Sequence, residues 1–233
     1  MNVQAPARKM QTLLLWAAIL PLATINLSYL VAVAMDHVPA CITYLTGCTS
    51  VSSTGRQAPE SYLFRAGMLF GAGFMLIFWW HFAQFRVIGN PTRVRLVVVR
   101  ALGVGAAVSL VLYATMLGLR GDLQIMLRRT GINGFAVCNY VLQLMFVVYY
   151  ATSDGLAKRS CVRWLVALCI ALPGVGIVSE LAKSLGVDRH TANNMAAWNA
   201  FVVMALYYGV LYRIWRHHQF DNRSSGLPAS PAE

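Results

Sequence analysis

The segment TLLLWAAILPLATINLSYLVAVAM, residues 12–35, decides how the rest of the chain is read. A basic start (Arg8, Lys9) and the small-residue triplet Ala32-Val33-Ala34 give it the look of a cleavable leader. A leader's apolar core, however, runs for about 7–15 residues. This stretch is longer, and about 20 apolar residues suffice to cross a hydrocarbon layer about 30 Å thick. We read it as a retained helix and as the first of six, the others being Tyr62–Ala83, Leu96–Leu119, Ile132–Ala151, Val162–Ser179 and Met195–Trp215. Strand-like alternation is absent throughout, which excludes a β-barrel.

Composition agrees. The 233-residue chain is 58% hydrophobic and 12% charged, against about 25% charged in soluble domains. Too few charges remain to cover a water-soluble surface. The expected fold is all-α: a polytopic integral membrane protein with six transmembrane helices in one bundle, residues 10–219. Residues 1–9 form a polar lead, residues 36–60 the longest connection, and residues 220–233 (FDNRSSGLPASPAE) a tail too polar to order alone.

The net charge of +11 does not point to nucleic acid, because the basic residues mark loops rather than one polar face. With both termini in the cytoplasm, twelve of the 19 Lys and Arg residues fall inside and seven outside, as the positive-inside rule requires. Arg120, Arg128 and Arg129 run against the trend. The basic second loop, FRVIGNPTRVR, could touch anionic headgroups from the cytoplasmic side. The expected location is a cell membrane, plasma or bacterial inner. Of five cysteines, only Cys41 and Cys48 fall on the outer side, where disulfides persist. A bridge between them would close a small loop; two free thiols are the alternative. Cys138, Cys161 and Cys169 read as small buried side chains.

Near the centres of the six spans there is no Asp, Glu, Lys or Arg, which argues against a proton-coupled pump or ion carrier. The neutral polar residues Asn26, Ser28, Asn139, Gln143 and Asn199 are expected to bond between helices. Gly67 and Gly71, and Gly103 with Ala107, offer small-residue contacts, while Pro21 and Pro173 bend their helices. Trp79, Trp80 and His81 read as an interfacial belt, and His217 and His218 as part of a basic exit. No spacing suggests a metal site, and no cofactor is implied.

Charge and hydroxyls gather instead at the outer interface, above all in CTSVSSTGRQAPESYLFRAG, residues 48–67. Ser50, Ser52, Arg56, Glu60 and Arg65 there, with Glu180, Arg189 and His190 from the last outer loop, are the candidates for a polar cap. Arginine pairs bidentately with phosphate, so the cap could hold a phospholipid headgroup. Alternatively Arg56, Glu60, Arg65 and Glu180 neutralise one another and cap helix ends. A hydrolase would use Ser50 or Ser52 as nucleophile, His37 or His190 as base and Asp36 or Asp188 as orienter. A nucleophile-elbow motif is missing, so no catalytic residue is assigned.

The pairs Val51-Ser52, Thr54-Gly55, Pro59-Glu60 and Leu63-Phe64 resemble a motif of the Frag/DRAM/Sfk family of six-span membrane proteins. Gly131 and Phe135 are similar to that family's fourth-helix opening, with Arg129 near its histidine. AAWNAFVVMALYYGVLY resembles the last helix, with Ala197 where an acid often precedes the aromatic. The resemblance spans residues 10–215 and implies a six-span bundle doing lipid-related work, with no settled catalytic set. The resulting expectation is a non-enzymatic protein that binds or organises membrane lipid, or supports a lipid-handling partner. Interfacial hydrolysis and lipid or small-molecule transport are the alternatives. Expected partners are membrane lipids, with a membrane-protein partner or a second copy also compatible. A reporter fused after residue 223 should read as cytoplasmic; an external reading would overturn the topology.

Overall fold

A computed structural model describes residues 4–82, 92–152 and 159–224, and the side chains from residue 11 to residue 216 within those ranges. Helix formation follows from length and hydropathy. The long helices are α1 (Gln4–Ala34), α3 (Glu60–Phe82), α4 (Arg93–Met116), α5 (Asp122–Ala151), α6 (Arg159–Ser184) and α7 (Arg189–Ser224), all long and apolar enough to cross a membrane. A short helix, α2 (Thr43–Thr46), and a 3-10 turn, Ser53–Gly55, lie in the first connection. Strands are absent among the described residues. The chain is therefore an all-α integral membrane protein. Helix α1 begins inside the polar lead, and α7 runs into the expected tail. Residues 1–3 and 225–233, Arg86, Lys158, most of the second loop, and the His217 and His218 side chains lie outside the described residues.

Successive long helices are neighbours, and α7 returns against α1 to close the ring. Small residues set the close approaches. A Cβ on Gly67 would strike the Thr24 side chain, and one on Gly71 would lie 3.2 Å from Pro21, so side chains of α1 pack directly on the backbone of α3. A Cβ on Gly103 would come within 2.7 Å of Trp79 Cβ. Across the middle of the ring, Trp79 Nε1–H donates to the Tyr208 hydroxyl (3.1 Å), and Tyr208 donates to Asn139 Oδ1 (2.8 Å). All three are buried, and Phe78, Phe82 and Phe146 pack around them. Trp79 is thus a core residue, not the belt residue expected. Successive helical residues lie about 100° apart, so Trp79 faces inward while the half-exposed Trp80 faces outward under the Arg100 guanidinium, 4.8 Å from its ring.

At the opposite end from the termini, the first connection folds down between α1 and α7. The disulfide Cys41–Cys48 closes it, as expected. Tyr29 brackets Cys41, donating to its carbonyl (2.8 Å) and accepting from its N–H (2.7 Å). Helix α7 supplies three further donors. Asn194 Nδ2 reaches the Gly47 carbonyl, Trp198 Nε1 the Thr49 carbonyl and Asn199 Nδ2 the Tyr44 carbonyl, each at 2.9 Å. Gly47 is in the left-handed region (φ 58°), and a side chain there would collide with the Thr191 carbonyl of α7. Asn199 lies ten residues into α7, and Asn26, bonded to the Tyr44 hydroxyl at 2.8 Å, lies eight residues before the end of α1. At 1.5 Å per residue the loop reaches about 12–15 Å below those helix ends.

Trp198→Phe keeps a ring between Tyr29 and Tyr44 but leaves the Thr49 carbonyl without its donor. It should destabilise the protein by about 1–3 kcal/mol, read as a lower melting midpoint in detergent. Asn193→Ala, at an exposed neighbour that gives up only a 3.5 Å bond from Ser179 Oγ, should change less. Equal melting of wild type and Trp198→Phe would show that the loop is not anchored this way.

Candidate functional site

The descending loop turns at Ser53–Gly55 and emerges at Arg56, where it meets the turn between α4 and α5. Gly118 makes this approach, with φ 84° and no room for a side chain: a Cβ would sit 2.7 Å from the Arg56 carbonyl oxygen. Between the two segments opens a cleft of about 570 Å³ lined by Arg56, Gln57, Gly118, Leu119, Arg120, Gly121, Ile125 and Arg128. Three of its eight residues are arginines and none is acidic. Among the described residues, Arg56, Arg120 and Arg128 make no ion pair. The Arg56 guanidinium donates to Ser52 Oγ (3.2 Å). Partial burial and the facing Arg128 push the Arg56 guanidinium below its usual range. A fourth arginine stands behind this wall: Arg65 Nη2 donates to the buried Leu117 carbonyl at 2.7 Å, satisfying an acceptor at the negative end of α4.

The remaining candidates are distributed differently from the expectation. Ser50 bonds Ser53 (2.6 Å) and Ser52 (3.1 Å), forming a hydroxyl knot within the loop. Glu60 is fully buried, and His37 Nδ1 lies 2.8 Å from its Oε1, so this pair ties the end of α1 to the start of α3. Glu180 pairs with Lys183 (2.6 Å) at the α6–α7 turn, with Arg189 nearby. Arg189 and His190 are exposed in the first turn of α7. Asp188 accepts from the Thr191 amide (3.0 Å), which holds its carboxyl below the usual range, and so caps that helix.

The expected mutual neutralisation of Arg56, Glu60, Arg65 and Glu180 is therefore absent. Glu60 points inward from the first turn of α3, while Arg56 precedes the helix on its exposed side. Arg65, five residues beyond Glu60, is rotated about 140° around the helix from it. Glu180 sits on α6, which packs on α5 and α7, and finds a lysine one turn along. The hydrolase arrangement is not assembled either, since the described hydrogen bonds couple none of Ser50, Ser52 or Ser53 to His37 or His190.

Arg120 and Arg128, the residues that complete the cleft, enter the sequence reading only as exceptions to the charge rule. That exception is the available signal: cations kept against the positive-inside trend need a local reason. Asn194, Trp198 and Asn199, which hold the loop, lie in a span whose polar groups could be expected to bond but not to which partner. Metal-binding groups of His, Cys, Asp and Glu are absent among the described residues.

Residues 10–121 match a family model, the Frag1/DRAM/Sfk1/Cwh43P N-terminal domain. The match takes in α1 to α4, the cap loop and the cleft wall as far as Gly121; it ends short of Ile125, Arg128 and the later helices, to which the resemblance in sequence extends. Comparison with curated proteins and with solved structures found no match. Residues 10–121, which hold most of α1, the first connection, α3 and α4, thus match a Frag1/DRAM/Sfk1/Cwh43P N-terminal domain within an integral membrane protein of six candidate spans.

Proposed function

We propose that this protein binds or organises membrane lipid at the capped end of its bundle, without chemistry of its own, by receiving a lipid phosphate in the cleft between Arg56 and Arg128. The observation that carries the reading is the cleft itself, three arginines with no acidic neighbour in its lining. Guanidinium groups complement phosphate in shape and charge. Leu119 and Ile125 give the cleft an apolar border. A phosphate held there would leave its acyl chains beside these two side chains.

In this reading the cap faces away from the cytoplasm and both termini face it, in a cell membrane. The Cys41–Cys48 bridge supports that orientation, because disulfides persist in oxidising compartments. The excess of Lys and Arg on the terminal side supports it too. Transport through the bundle is disfavoured by the aromatic filling around Trp79 and Tyr208. Hydrolysis is disfavoured by the uncoupled serines and histidines.

Native mass spectrometry of gently extracted protein tests this. Wild type should retain an acidic phospholipid, and Arg56→Gln/Arg128→Gln should lose it while keeping its helix content. Wild type that emerges bare, or a double variant that holds the same lipid as well, would contradict the proposal.

A further inference from the structure

We infer that the cleft is selective for a lipid whose phosphate is a terminal monoester, a doubly ionisable headgroup of the phosphatidate kind, over singly charged and zwitterionic diesters. The inference rests on the lipid-phosphate reading above and concerns which class of headgroup satisfies the same site.

The lining carries three formal positive charges from Arg56, Arg120 and Arg128 and one amide from Gln57. It contains no Asp or Glu to receive the ammonium of an ethanolamine or serine headgroup, and no aromatic ring to receive a choline. A zwitterionic lipid would seat its phosphate well and turn its cation toward arginines. A phosphodiester brings one negative charge and two unsubstituted oxygens. A phosphomonoester brings about −1.5 to −2 charges at neutral pH and three acceptor oxygens, matching three guanidinium forks. Gly121 adds to the fit: it opens the 30-residue helix α5 and lines the cleft without a capping side chain. The volume, about 570 Å³, lies within the range that encloses small ligands, so a phosphate and the glycerol behind it fit. The Arg65 guanidinium behind the turn, fixed to the Leu117 carbonyl, adds positive field without occupying the space.

Two sources could supply a phosphomonoester, a lipid or a soluble phosphate, and the test separates them. Purified full-length protein is placed in nanodiscs of phosphatidylcholine doped with equal fractions of phosphatidate or phosphatidylglycerol, and bound lipid is counted by native mass spectrometry. Phosphatidate should be retained about tenfold over phosphatidylglycerol, the worth of about one extra charge-assisted contact. Both Arg128→Gln and the loop variant Arg120→Gln should abolish that preference, the second serving if the first fails to fold. Equal retention of the two acidic lipids, lost in Arg128→Gln, would overturn the monoester inference and leave the lipid-phosphate reading intact. Retention of neither would overturn both. Inorganic phosphate is the remaining probe, added to the detergent-solubilised protein. If it displaces phosphatidate completely at equal concentration, the lipid part of the ligand contributes nothing and the site belongs to a soluble phosphate.

Discussion

Three donors on one helix govern the capped end of this molecule. Asn194, Trp198 and Asn199 of α7 each give a hydrogen bond to a backbone carbonyl of the first connection. Irregular backbone at such depth survives only where its polar groups are satisfied within the protein, and a buried acceptor left unpaired costs about 1–3 kcal/mol. The Cys41–Cys48 bridge and the reciprocal bonds of Tyr29 to Cys41 finish the anchoring from the α1 side. With both flanks held, the loop has one path out, over the Ser53–Gly55 turn.

That path brings Arg56 to the α4–α5 turn. Gly118 allows the two backbones to meet, and like charges then face one another across a cleft. Arginine side chains repel in this arrangement, and the chain supplies no carboxylate to the lining. Carboxylates are available nearby in sequence, yet Glu60 is committed to His37 and Glu180 to Lys183, and Asp122, which follows Gly121, lies outside the lining. Glu60 thus joins α1 to α3 and Glu180 pairs within α6, and neither reaches the cleft arginines.

Much of this was legible in the sequence. Span lengths and hydropathy locate all six long helices, because lipid demands about 20 apolar residues wherever a helix crosses. The Cys41–Cys48 bridge is one of the two readings that the expected compartment and the spacing leave open. Of the intramembrane polar groups expected to bond between helices, Asn139 bonds Tyr208 and Asn199 bonds the loop, whereas Ser28 Oγ and Gln143 Nε2 are buried without a hydrogen-bond partner among the described residues. The burial of Trp79 was not legible, since Trp79 and Trp80 look alike in sequence and differ only in which side of α3 they occupy. Nor was the cleft, whose arginines lie some seventy positions apart and meet only after two connections fold against each other. Nearby opposite charges invited pairing along the chain, but helical phase sent Glu60 and Arg65 in different directions.

Hydrogen exchange over residues 42–57 in the membrane-embedded protein tests most directly whether the cap is a built unit. Slow exchange at Leu45, Thr46 and Gly47, whose amides are bonded within the loop, comparable with that of neighbouring helix ends, is the predicted result. Exchange at the rate of an unstructured peptide, with the six helices still protected, would mean that no fixed wall holds Arg56 against Arg128 and would contradict the cleft on which the proposed function depends.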